Sequence, residues 1–183
     1  MAPWANCKPK SLNTYTCIQT YMLVSNTSTL VLLAKIGCLE AFIEVWPKIE
    51  IPTQVKQEAL FKEDSYYAKR IKQLIDDKKI IVQEVNKNKI SEVTSQFHLD
   101  EGEAAAYILF DVEKHKAMLT DDGELIKLCK LQKVPFICAM AAIIRMFEKK
   151  KLTKGETMNK LKDLNEIGRY SSEIYNYYKN EVK

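Results

Sequence analysis

Asn26 with its neighbour Ser28, Glu58, Glu103, and the consecutive acids Asp121 and Asp122 after Thr120 are the side chains of this sequence best suited to chemistry on a charged substrate. Gathered at one point, three or four carboxyl and amide oxygens suit a hard divalent cation. Magnesium and manganese keep several waters and ask for few protein ligands. A cation held that way acidifies a bound water and neutralises the charge that grows on a phosphodiester under attack. Such chemistry needs neither histidine nor cysteine, of which the chain has two and five.

Taken singly, each residue has an ordinary structural account. Glu103 in the first turn of a helix is favoured by the helix dipole. Asp121 or Asp122 can cap a helix, Asn26 can occupy a turn, and Glu58 can be a solvated charge. Only joint placement lifts them above that. In an open parallel sheet, sites form where the carboxyl ends of strands meet the following loops. The elements must therefore bring these stretches to one rim.

The apolar run over 21–24 reads as a strand. STLVLLAKIG follows as a helix, with Ser28 as N-cap and Gly37 at its stop. A short helix over 39–44 leads to a strand over 49–51 ended by Pro52, and Thr53 is placed to cap the next helix, which carries Glu58. An amphipathic helix is expected over 65–77 and a β-branched strand over 79–85. Helices over 89–97 and 102–113 precede a strand over 116–120, which ends at Thr120 and the two acids. A helix over 122–130, a buried strand over 134–137 and helices over 139–149 and 154–166 follow. Ser171 or Ser172 caps a final tyrosine-rich segment. Strands separated by helices imply parallel pairing with helices on both faces, hence a three-layer α/β/α sandwich around a parallel sheet of about five strands. If the first and fourth strands are neighbours, the acids and Asn26 converge.

The 183 residues fit one domain, and a 46% hydrophobic content supplies a sizeable core. The formal charge of +4 permits phosphate binding without the dense basic field of a histone-like protein. An odd number of cysteines without a CxxC pair argues against a disulfide framework or a zinc site and points to reduced thiols. No stretch approaches the roughly 20 apolar residues of a membrane span, and the first twenty residues lack a secretory signal, which points to the cytoplasm and away from the membrane. Residues 1–21 read as an extension outside the core. Residues 22–183 form the single domain, with the helices after Lys151 appended to it.

SNTSTLVLLAKIGCLE, IEIPTQVKQEAL, LDEGEAAAYIL and MLTDDGELIKLCKLQKVPF follow one another in this order. Together they resemble the four-motif order of PIN domains, closest to a branch similar to VapC-type toxin ribonucleases whose first motif reads N/D-T-S-x-L. The likeness spans about residues 22–172. It implies metal-dependent cleavage of RNA in an acidic pocket that binds magnesium or manganese. Carried over by motif, the first position falls on Asn26 with Ser28 as its hydroxyl companion, the second on Glu58 and the third on Glu103. The fourth falls on Asp121 or Asp122, the spacing from Thr120 favouring Asp122. The resemblance further implies a homodimer and an antitoxin protein partner.

Most nucleases of this kind have aspartate where this chain has Asn26. Losing one charge at about 4 Å from a divalent ion costs on the order of several kcal/mol before solvent compensates. The expectation is therefore an endoribonuclease in which Glu103 and Asp122 hold the ion, Asn26 completes its shell and Glu58 orients water. Its rival is a weak or inactive module that binds RNA or a protein. Lys35, Lys127 and Lys130 are candidates for the phosphate backbone, and Tyr170, Tyr175, Tyr177 and Tyr178 for stacking on bases.

Overall fold

The computed structural model describes residues 22–183. The strands are β1 (Met22–Ser25), β2 (Ile49–Pro52), β3 (Ile80–Gln83), β4 (His115–Leu119) and β5 (Phe136–Ile137). Between β1 and β2 lie α1 (Thr27–Lys35) and α2 (Leu39–Val45), and between β2 and β3 lie α3 (Thr53–Ala59) and α4 (Tyr66–Asp76). The helices α5 (Lys87–Phe97) and α6 (Glu101–Leu109) precede β4, and α7 (Gly123–Leu131) follows it. The chain ends with α8 (Ala139–Glu148), α9 (Lys154–Ile167) and α10 (Ser172–Glu181).

All strand pairs are parallel, in the order β3-β2-β1-β4-β5. The chain winds from β1 outward to β3, then returns to the other side for β4 and β5. The carboxyl ends of β1 and β4 therefore flank the point where winding reverses, where an open sheet leaves a crevice. Period-two alternation divides the core. Leu23, Ile49, Ile51, Ala117 and Leu119 face a layer built from α1 to α4 and α8 to α10, while Val24 and Met118 face α5, α6 and α7. This is the three-layer parallel sandwich that the sequence implies. The terminal helices are no appendage: Leu161, Leu164 and Tyr178 join the first core layer, and Lys160 Nζ donates to the Ile36 carbonyl at 2.6 Å.

Several boundaries shift because local hydrogen bonds set them. Asn26, not Ser28, caps α1, its extended backbone letting Oδ1 accept the Ser28 amide. Thr53 is the first residue of α3 rather than its cap, and its hydroxyl donates to the Gln83 carbonyl. The α6 helix ends at Leu109, short of 113, because Phe110 turns extended and the chain folds back through 111–114 into β4. Tyr21 and the extension 1–21 lie outside the described residues. Cys129 and Cys138 lie in different core layers, so the strand between them does not bring them together. Among the described residues, no helix is long and apolar enough to cross a membrane.

One buried charge interrupts the second layer. Glu50 of β2 is 7% exposed and meets His115 Nε2 at 3.0 Å, with the Gln83 amide at 3.2 Å. The Asp111 amide donates to His115 Nδ1, so Nε2 carries the ring proton given to Glu50. A register shift between β1 and β4 beside Met22 brings His115 to that face. Buried carboxylates persist only when paired in this way.

Candidate active site

The β1–α1 corner begins the site. The Asn26 amide donates to the Leu119 carbonyl at 3.1 Å, continuing the β1–β4 ladder one residue beyond β1. Asn26 is 3% exposed, and its Oδ1 accepts both the Ser28 amide (3.2 Å) and the Ser28 hydroxyl (2.7 Å). Ser28 Oγ in turn accepts the Asp121 amide at 3.0 Å, tying the first and fourth motifs together. Ser28 thus bridges Asn26 to the Asp121 backbone, while the Asn26 oxygen is engaged as a helix cap.

The two aspartates after β4 have separate tasks. Asp122 caps α7: its Oδ1 accepts the amides of Glu124 (2.8 Å) and Leu125 (2.9 Å), and its own amide donates to Thr120 Oγ1 at 3.1 Å. Asp121 is a structural hub. Its Oδ2 accepts the Thr29 hydroxyl at 2.6 Å and the Ala139 amide at the start of α8 at 2.8 Å, and its Oδ1 accepts the Tyr170 hydroxyl. Burial pushes the Asp121 carboxyl up, and these three donors pull it back.

Glu103 sits in the first turn of α6, where it forms a reciprocal capping box with Asp100. The Glu103 amide donates to Asp100 Oδ1 at 2.7 Å and the Asp100 amide to Glu103 Oε2 at 3.1 Å. Its carboxyl also meets that of Asp122. Burial first, with the charges of Asp100 and Asp122 and the Asp122 contact adding to it, pushes Glu103 from 4.5 up to about 8, against the Asp100 amide. Two carboxyls in contact cannot both ionise cheaply, so the pair takes up either a proton or a cation.

Glu58 reaches the rim from α3. The Thr27 hydroxyl and the Gly102 amide donate to its carboxylate. A Cβ on Gly102 would lie 2.3 Å from Glu58 Oε1 and 2.7 Å from Oε2, so the carboxylate sits in the space a side chain would fill. Desolvation raises the Glu58 pKa, and the charges of Asp100 and Glu101 add to it.

The structure thus brings Glu103 to Asp122, Asn26 to Ser28 and the Asp121 backbone, and Glu58 to Thr27 and Gly102. Among the described residues, no three His, Cys, Asp or Glu side chains gather as a ready metal cluster. The acidic donor set is the Glu103–Asp122 pair. That pair fits a magnesium-type ion, which is commonly held by one or two carboxylates with waters and substrate phosphate completing its shell.

Lys35 and Lys130 line a groove beside this rim. Lys127 instead pairs with Glu124 at 2.6 Å on an exposed face. Tyr170 and Tyr178 line the same groove, Tyr170 with its hydroxyl on Asp121 and Tyr178 with its hydroxyl 3.3 Å from Cys138 Sγ. Sequence reasoning missed Thr27, Gly102, Arg169 and the role of Tyr170. Only Gly102 left a signal, since a glycine inside a helix often marks a close approach.

A family model described as a PIN domain matches residues 22–183. No curated protein and no solved structure matches the chain.

Proposed function

This chain belongs to the PIN-domain family, whose members are generally nucleases, and we propose that it is a metal-dependent endoribonuclease hydrolysing RNA phosphodiester bonds. The observation that carries the reading is the Glu103–Asp122 contact, at which burial first and the neighbouring acids after it push the Glu103 carboxyl up to about 8. Magnesium or manganese held by Glu103 and Asp122 would supply an acidified water and charge neutralisation at the scissile phosphate. The chain does the rest. Helix amides fix Asp122 through Oδ1 and leave its other oxygen for the site. Thr27 and Gly102 aim Glu58, whose raised pKa suits it to orient a water and accept its proton. The same proposal takes the protein as a cytoplasmic toxin of a toxin–antitoxin pair, a homodimer restrained by an antitoxin protein.

A second reading has its own observation. Asn26 brings no charge and spends its oxygen on Ser28, which favours a weak or inactive module that binds RNA or a protein. Labelled single-stranded RNA incubated with manganese, magnesium or chelator separates the two. The enzyme reading expects chelator-sensitive cutting, abolished by Glu103→Ala and Asp122→Ala and raised by Asn26→Asp. Cutting that ignores chelator and survives both alanine changes refutes it, and RNA retention without cutting selects the second reading.

A further inference from the structure

The two edges of the sheet are finished differently. β5 is two residues long, which blunts that side against pairing with another chain. At the other side β3 runs Ile80-Ile81-Val82-Gln83, with no proline and no bulge in its register against β2. Three β-branched residues in a row favour the extended backbone. The ladder to β2 uses alternate residues. The Lys79 carbonyl accepts the Ile49 amide, so Lys79, Ile81 and Gln83 bond to β2, and the N–H and C=O groups of Ile80 and Val82 turn outward. Among the described residues, no backbone group outside the sheet hydrogen-bonds to them.

Beside this edge, on the second-layer face, lies a polar cleft of about 410 Å³ whose charges do not balance. Of its lining residues, Asp111 has Lys114 at 3.6 Å. Buried Glu50 touches only neutral donors, because His115 carries its ring proton on Nε2 and Gln83 offers an amide. Glu50 and Glu84 therefore share the cleft with Lys89 alone, one positive charge short. Hydrogen bonds do not replace the missing counter-charge of a buried carboxylate.

We propose that β3 pairs antiparallel with β3 of a second copy of this chain, joining the two sheets across a twofold axis at Ile81. Around that centre Ile80 lies opposite Val82 of the other copy, and Lys79 lies opposite Gln83. The Ile80–Val82 pairs are the residues with outward groups, so each pair exchanges both of its hydrogen bonds. Directly opposed side chains share a face. Since Gln83 points at Glu50, Lys79 of the second copy comes up beside the cleft and brings it the missing positive charge. The twofold repeats the contact at the other end of the pairing. Charge also selects this arrangement. The strand opens on Lys78 and Lys79 and is followed by Glu84, so antiparallel copies set base against acid, whereas parallel copies in register would stack lysine on lysine. The pairing rests on the reading above for the homodimer alone, whose surface it names.

The test is light scattering on a size-exclusion column, with the full chain loaded from about 2 to 200 µM. Wild type is expected to move from monomer to dimer over that range. Val82→Pro removes an outward N–H and no bond to β2, a position where an edge strand tolerates proline. It is expected to stay monomeric at every loading, with circular dichroism showing that it folds. Lys79→Glu and Glu84→Lys are each expected to weaken the dimer about tenfold, and the two together to restore it, because the exchanged charges meet again.

A wild type that stays monomeric throughout overturns the pairing. So does a dimer that persists in folded Val82→Pro, or a double variant no better than the single ones. Manganese-dependent RNA cleavage followed in the same samples keeps the two readings apart. Cutting by a monomeric wild type sinks the pairing and leaves the nuclease. An edge-dependent dimer that never cuts sinks the nuclease and leaves the pairing.

Discussion

Replacing Glu103 by glutamine isolates the strain in the carboxyl pair. Glutamine keeps the oxygen that accepts the Asp100 amide, so the capping box survives. What disappears is the ionisable group. In the folded chain Glu103 titrates near 8, against 4.5 for an ordinary glutamate. Below the lower value the folded and unfolded chains both hold the proton, and the substitution is neutral. As pH rises from 4.5 to 8 the unfolded chain ionises while the folded one does not, and wild type loses stability relative to the variant. Above 8 the full penalty is present. At about 1.36 kcal/mol per pKa unit the gap would approach 5 kcal/mol; discounted for a partly exposed side chain, about 1–2 kcal/mol remains. Urea unfolding at pH 4, 7 and 9 should show Glu103→Gln equal to wild type at the first and more stable by that amount at the last. Saturating manganese at pH 9 should stabilise wild type and leave the variant nearly unmoved, because a cation at the pair stabilises only the folded state that holds it. A stability difference that stays flat from pH 4 to 9, or manganese acting equally on both proteins, refutes the reasoning.

Gly102→Ala should separate folding from function. Alanine adds up to about 1 kcal/mol of helix propensity, whereas displacing Glu58 from its seat loses a hydrogen bond worth roughly the same. The expected result is a Tm within a few degrees of wild type and a large loss of RNA cleavage; unchanged cleavage would show that the Glu58 position is not used. Tyr170→Phe removes one of three donors to Asp121 and should cost about 2 kcal/mol in urea unfolding. A loss below about 0.5 kcal/mol, the level of an exposed bond, would mean that Asp121 does not depend on the α9–α10 loop.

Much of the fold was legible because it rests on local and periodic information. Alternation such as Leu23–Val24 and Ala117–Met118–Leu119 marks strands buried on both faces, and Ser65, Asp122 and Ser171 stand at helix starts the sequence announces, whereas the Asp100 cap ahead of the expected helix emerges only in the structure. The family's motif order likewise needs only sequence, as does the expectation that Glu58, Glu103 and Asp122 share a rim. Ser28 and Asn26 show the limit of local reasoning: both are good caps two residues apart, and the extended turn at the end of β1 decides between them.

Tertiary structure alone decided which acids act as a pair. Asp121 and Asp122 are chemically identical neighbours, yet the chain turns one onto Thr29, Ala139 and Tyr170 and the other onto Glu103. The meeting of Glu50 with His115, of Glu58 with Gly102, and of Lys35, Lys130 and Arg169 around one groove depends equally on distant segments packing together. Periodicity tells a residue which face of its own element it occupies. What lies opposite that face is set by strand order and helix packing, and the desolvation and charge that tune a carboxyl come from there.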